Sequence, residues 1–494
     1  MRALLRCDAT ASGGVGHLVR CLAVGEAARR RGWDVALAGS IEVPLARRLA
    51  EAAGIPIVPA SDEDADGLTR LARDRRAQVL HVDHYDLTAD LWPAVRGAGV
   101  VLSSMEDGPF GRRAADIVVD SALGAEQAGR EPDGSARVLL GIRYAPLRTA
   151  VLTAREAAVR RGVSGGAPAV LVVLGGTDAI GVTATVVRMC AMSAMPLAEL
   201  TVVAPEDRWP AVRASWTRPE PLNLLGPLDD LPALAAHHDV VVSAAGTTMW
   251  ELACIGTPAA LVAVTENQNL GYARAVAAGV AVGLGTVPKL RVDPGVCQDV
   301  LDRLLTDVAL RTRLSGTGRE LVDGLGADRI IAAWEMDVLT ARPAAPSDAA
   351  ALLAWRNDPA TRAASRSTDR VEAGAHEAWL DAALSDPDRI LLVVERAGVR
   401  VGMVRFDRHG PDAWEVSFAV APEARGRGLA GRVLAAAEAV GRETIGDRQV
   451  LLAQVRAGNH ASIRLLRAAG YQPDPDHGQD QEAVVTLVKN EMPR

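Results

Sequence analysis

Ala3-Leu4-Leu5 leads through a short turn into Gly13-Gly14-Val15-Gly16-His17-Leu18-Val19-Arg20-Cys21-Leu22, and the fold is decided by how this stretch is read. An apolar run, a glycine-rich turn and an amphipathic stretch in that order spell strand, turn and helix, with the helix predicted over 18–31 and closed by Gly32. Working outward, Val35-Ala36-Leu37-Ala38, Val79-Leu80-His81-Val82 and Val100-Val101-Leu102 each read as a short strand apolar on both faces. Ala/Leu/Arg-rich helical patterns separate them. Such strands alternating with helices imply right-handed βαβ units and a parallel sheet covered on both sides.

The same logic starts afresh after the glycine-rich, apolar-poor stretch 162–168. Ala169–Leu174, Leu200–Ala204, Val240-Val241-Val242 and Ala259–Val264 read as a second set of buried strands. Near 339–347 the order changes, and Ala341-Arg342-Pro343-Ala344-Ala345-Pro346 reads as a connector. Two helices (348–357 and 373–384) come next, then strands at 390–395, 401–405 and 414–420, a glycine-rich turn, a long Ala-rich helix and a last strand. The expected organisation is therefore α/β: two doubly wound parallel-sheet lobes, 1–150 and 151–338, followed by an α+β domain, 339–494. A chain of 494 residues is too long for one core, which stops growing near ~250–300 residues.

Composition excludes several classes. The chain is 49% hydrophobic and 23% charged with a net charge of −7, ordinary for a globular protein and unlike a sequence-independent nucleic-acid binder. No apolar run reaches the ~18–20 residues of a membrane span. Arg6 and Asp8 interrupt the N-terminal apolar run, so it reads as a strand and not as a signal peptide. The five scattered cysteines form no C-x-x-C pair, which fits a reducing, cytoplasmic setting. No His or acidic cluster has metal-ligand spacing, so no metal is expected.

The first candidate site is that opening turn. Gly14 and Gly16 let backbone approach a phosphate at a helix N-terminus, and His17 stands at the carboxyl edge of a parallel sheet, where ligands bind. Asp83, His84 and Tyr85 end a strand at the same edge; Asp83 and His84 suit either a direct role or the capping of a helix from Thr88. Gly176, Thr177 and Asp178 do the same in the second lobe. There, Gly246, Thr247 and Thr248 form a small-residue turn able to hold a diphosphate, with Glu251 one helical turn on, in reach of ribose hydroxyls. Asn267 and Gln268 follow the next strand.

These residues resemble the UDP-sugar hydrolases of the pseudaminic acid pathway, which are related in fold to GT-B glycosyltransferases. The resemblance is carried by Arg6-x-Asp8, the Gly-x-Gly-His-x-x-Arg-Cys-Leu turn, Val82–Tyr85, Leu140-Gly141-x-x-Tyr144-x-x-Leu147-Arg148, Gly175–Asp178, Ala245–Glu251 and Asn267-Gln268. It implies a UDP-sugar substrate and release of a diacetamido-trideoxy hexose. The chain departs from that family at Glu106-Asp107, where a pair of Asp residues is frequent, and at Asp120, where Asn is common. UDP leaves readily once its charge is held by helix N-termini and an Arg, so the remaining task is to deliver water to the anomeric carbon. An imidazole suits a general base at neutral pH, and His17 is the candidate. A single displacement by water inverts that carbon.

In the last domain, Val420-Ala421-Pro422-Glu423-Ala424-Arg425-Gly426-Arg427-Gly428-Leu429-Ala430 joins a strand to a helix, and Asn459-His460-Ala461-Ser462 follows at a later turn. With the preceding meander these resemble the GNAT acetyltransferases. Trp355-Arg356-Asn357-Asp358 is similar to the branch that acetylates protein N-termini and amino sugars. The resemblance implies that Val420 and the backbone of Arg425, Gly426, Arg427, Gly428, Leu429 and Ala430 bind acetyl-CoA, that Asn459 contacts its pantetheine arm, and that Glu415 accepts the amine proton through water. Leu466 stands where many members have a general-acid Tyr, leaving Tyr471, another donor or water for that step.

Together the halves read as consecutive steps, N-acetylation of an amino UDP-sugar and metal-independent, inverting removal of UDP. The alternatives are a GT-B glycosyltransferase fused to an acetyltransferase, and a non-catalytic UDP-sugar-binding platform serving the acetyltransferase.

Overall fold

The computed structural model describes residues 1–10, 14–59, 64–87, 90–175, 178, 180–292, 294–365, 367–446, 449–474 and 484–489. Gly13, Thr88, Gly176 and Thr177, named above, lie outside the described residues.

The first sheet holds seven parallel strands in the order β3-β2-β1-β4-β5-β6-β7. They are β1 (Arg2–Arg6), β2 (Asp34–Ala38), β3 (Ile57–Val58), β4 (Val79–Val82), β5 (Val101–Glu106), β6 (Ile117–Asp120) and β7 (Arg137–Leu140). The order reverses between β1 and β4, and that switch point opens the crevice in which doubly wound sheets bind ligands. β4, β5 and β6 are buried along their whole length, as helices on both faces require.

The second sheet is also parallel, ordered β10-β9-β8-β11-β12-β13, with its switch point between β8 and β11. Its strands are β8 (Ala169–Val173), β9 (Glu199–Val203), β10 (Leu222–Leu225), β11 (Val240–Ala244), β12 (Ala259–Ala263) and β13 (Val282–Thr286). The lobes meet across their carboxyl edges. A Cβ at Gly16 would stand 3.2 Å from Thr247 Oγ1, Arg274 donates to the Leu123 carbonyl at 2.8 Å, and Arg48 pairs with Asp229 at 2.8 Å. These are the two doubly wound parallel-sheet lobes expected from the sequence.

Chain order and packing diverge at one helix. Gly326–Asp337 follows the second lobe but packs into the core of the first. Its fully buried Trp334 donates to Ser103 Oγ at 3.0 Å and lies edge-on to Trp33.

The third sheet is mixed: β14 (Leu339–Pro343), β15 (Arg389–Arg396), β16 (Val399–Arg408), β17 (Ala413–Val420), β18 (Val450–Arg456), β19 (Gln472–Pro473) and β20 (Val484–Lys489), ordered β14-β15-β16-β17-β18-β20-β19. The stretch read as a connector is therefore corrected in part: 341–343 belong to β14, an edge strand paired only with β15, where Pro343 is tolerated. All five cysteines are buried. Among the described residues, no helix is long and apolar enough to cross a membrane.

Candidate active sites

The first site is built at the switch point of the first lobe. The helix Gly16–Arg30 carries His17 and Arg20 on one face, three residues apart, and Asp83 directly follows β4. His17 Nδ1 lies 2.6 Å from Asp83 Oδ1, while Arg20 grips the same carboxylate through Nε at 2.8 Å and Nη2 at 2.7 Å. Arg20 Nη1 reaches both oxygens of Asp107 at 2.6 and 2.8 Å, and the Tyr85 hydroxyl donates to Asp107 at 2.5 Å. Tyr85 also meets the imidazole edge-on at 4.6 Å between centroids. His84 turns the other way, its Nε2 2.8 Å from Asp8, which Arg6 and the Ser40 amide also hold.

The electrostatics follow. Burial disfavours ionised Asp83, but the Arg20 and His17 charges and their hydrogen bonds outweigh it and hold the carboxyl well below the usual carboxylate range. Burial and the neighbouring Asp107 push the Tyr85 phenol upward. With Nδ1 facing a carboxylate, the imidazole is fixed in orientation, and Nε2 has no partner among the described residues. The sequence reading singled out His17, Asp83, His84 and Tyr85; it missed Arg20 and Asp107 as members of this network. The spacing of His17 and Arg20 on one helix face was the available signal.

Across the cleft, β11 runs into Gly246 and Thr247 and the helix Thr248–Ile255. Among the described residues no side chain caps this helix, which leaves its first amides without a side-chain acceptor. Gln268 lies behind the turn, 3.5 Å from where a Cβ of Gly246 would be, and its Oε1 accepts from the Val264 amide. Asn267 is exposed and accepts from Thr265 Oγ1 at 2.6 Å. Asp178 is buried, sits at φ 39° and accepts from the Val182 amide, which shapes the turn after β8. Glu251 is buried beside Arg148, 3.3 Å away; burial raises its carboxyl and Arg148 opposes that. Arg148 was not singled out as a site residue.

The second site lies in the mixed sheet. β17 and β18 run parallel and pair only from Ala413–Glu415 to Val450–Leu452, although both strands continue. Beyond that point Ser417–Val420 and Ala453–Arg456 line opposite walls of a cleft of about 950 Å³. Strand edges spread in this way offer backbone donors and acceptors to an extended, amide-containing ligand. At the mouth, Gly426 and Gly428 adopt left-handed φ of 75° and 69°, a turn that other residues enter with strain, and the helix Ala430–Ile445 opens from it. The Arg425 side chain is committed to Asp358 and Thr361, both at 2.6 Å, so this residue presents backbone to the cleft. Asn459 caps the helix His460–Ala468 through Oδ1, at 3.1 Å from the Ser462 amide.

Glu415 also lines this cleft, as do Trp355, Arg356, His376, Trp379 and Arg405. His376 stacks on Trp379 at 5.3 Å, and burial lowers its pKa. Apart from Glu415, these residues were not read as site candidates. Tyr471 does not line the cleft: it is buried, donating to Glu438 at 2.8 Å, and Lys489 lies over its ring. Its expected option as the general acid is corrected accordingly. Leu466 lines the cleft wall instead.

The chain thus joins two facing parallel-sheet lobes to an acetyltransferase (GNAT) domain. Residues 339–472 match the family model described as an acetyltransferase (GNAT) domain. A 122-residue segment is 27% identical to the spore coat polysaccharide biosynthesis protein SpsG of Bacillus subtilis (strain 168). That segment is 25% of this chain and spans only 35% of the relative's length. Among solved structures, MurG of Acinetobacter baumannii is 14% identical, with 67% of this chain and 98% of that chain covered at a TM-score of 0.49. The ribosomal-protein-alanine N-acetyltransferase of Brucella melitensis is 29% identical over 30% of this chain and 98% of its own, at a TM-score of 0.27.

Proposed function

We propose that the protein acetylates the free amine of an amino sugar carried on UDP, and then hydrolyses the acetylated nucleotide sugar to free sugar and UDP. The observation that carries the hydrolytic half is the His17–Asp83–Arg20 network, which fixes an imidazole at the switch point facing the turn at Gly246–Thr248.

In that reading, the amides of Gly246, Thr247 and Thr248 hold the diphosphate and disperse the charge that grows on it as the glycosidic bond breaks. Asp83 holds Nδ1–H of His17, so Nε2 takes a proton from the attacking water and the ring shares its new charge with the carboxylate. Gln268 supports the diphosphate turn, and Glu251 with Arg148 bears on the nucleoside side. The displacement inverts the anomeric carbon.

In the acetyltransferase domain, the glycine turn and the parted strands fit acetyl-CoA: backbone amides for the pyrophosphate, strand edges and Asn459 for the pantetheine amides, and Glu415 at the acetyl end. Acetyl-CoA would supply the acetyl group: its thioester C–S bond breaks as the amine forms the amide C–N bond, and the departing thiolate takes a proton from water. Glu415 accepts the amine's proton through water, and the aromatic and Arg side chains around it receive the acceptor.

Substitution tests the hydrolytic half directly. His17→Ala should lower UDP release by ~10²–10⁴-fold while acetyl transfer continues, because loss of a positioned base costs that much. Full UDP release by the variant would remove His17 from the chemistry.

A further inference from the structure

The acetyltransferase turn is not bounded by its own domain alone. The helix Leu91–Gly97 of the first lobe ends against the helix Ala430–Ile445, and Gly99 comes so close that a Cβ there would strike Ala435. This contact places Arg96 at the glycine turn. A Cβ on Gly428 would strike the Arg96 guanidinium, and Arg96 Nη2 lies 3.5 Å from the Arg427 carbonyl. On its other side the guanidinium lies over the Trp92 ring, 5.2 Å from the centroid, which holds the long side chain in place. Among the described residues that single long contact is the only hydrogen bond of a group with five N–H donors, so most of its donors remain for a ligand.

We infer that Arg96 is a binding residue for the phosphates of acetyl-CoA, supplied to the acetyltransferase domain by the nucleotide-sugar lobe. This rests on the acetyl-CoA reading of the cleft. A turn of converging amides at a helix N-terminus attracts an anion but supplies only partial charges. Arg96 adds a full charge in a fixed fork suited to a phosphate. The acetyltransferase site is then complete only while the first lobe is docked, which ties the two activities to one arrangement of the chain.

The test uses the full chain, with acetyl-CoA affinity read by calorimetry and KM and kcat by acetyl transfer. Arg96→Ala should raise Kd and KM for acetyl-CoA by roughly 10- to 100-fold with little change in kcat, the loss expected for one charge-assisted contact. Arg96→Lys should recover most of the affinity, and Arg96→Ala should flatten the rise of KM with salt. Repeating the series with acetyl-dephospho-CoA locates the contact: an undiminished loss points to the pyrophosphate, and a vanished loss to the 3′-phosphate. Wild-type affinity and salt dependence in a folded Arg96→Ala would overturn this inference alone. Failure of the wild-type chain to bind acetyl-CoA at all would overturn the cleft reading and this inference with it.

Discussion

Asp83 meets three donors with two oxygens, one from His17 and two from Arg20, and does so almost entirely out of water. A carboxylate so placed is costly unless ionised and paired, and its partners hold it ionised far into acid. An unfolded Asp titrates near ~4, so the group contributes stability above that pH and loses it as pH falls from there toward the lower folded value. The stability advantage of wild type over Asp83→Asn should therefore be full at pH 7 and shrink below about pH 4, as measured by urea unfolding. An advantage that stays constant down to pH 3 would show that Asp83 does not carry the buried charge described. At this scale the sequence was partly legible. His17 and Asp83 lie beside strand ends, where function is expected, but Asp107 joins them only through Arg20 and Tyr85, a connection through space that no local spacing encodes. Glu251 showed the opposite: its position after the turn was legible, but its burial beside Arg148, more than a hundred residues earlier in the chain, was not.

The elements that position the sites are strands ending at a switch point, strands that part, and one helix that returns. The parallel strands β1, β2, β4, β5, β8, β9, β11 and β12 were readable because uniform Val, Leu and Ala runs have few other ways to be buried, whereas β3, β6, β7, β10 and β13 were not singled out. β14 was not, since Ala, Arg and Pro give no alternation, and its strand pairing is imposed by β15. The helix Gly326–Asp337 is legible as a helix, but its attachment to the first lobe depends on Trp334 fitting among Trp33, His81 and Ser103. Trp334→Ala should cost about 3–5 kcal/mol, the usual loss for a fully buried Trp, and the loss should appear in the unfolding of the first lobe. A loss confined to the second lobe, seen by hydrogen exchange, would contradict this assignment.

On the scale of the whole molecule, two lobes close on one cleft and the acetyltransferase domain docks on the first lobe, with Arg96 at its glycine turn. The division into two sheets and a third, different domain was legible from the change in element order along the chain. The docking was not, because it rests on close approaches at Gly99 and Gly428 that any surface glycine could conceal. The proposed order of reactions has a physical basis: acetylation removes an ammonium charge, and a hydrolytic pocket shaped for the amide must otherwise desolvate that charge without a partner, at a cost of several kcal/mol. The most direct test is UDP release by Gly428→Trp, measured with chelator present and no acceptor, from the amino UDP-sugar and from its pre-acetylated form. The variant should release UDP from the acetylated sugar at the wild-type rate and almost none from the amino sugar, even with acetyl-CoA. Release from the amino sugar at the normal rate, or no release from either sugar without an acceptor, would contradict it.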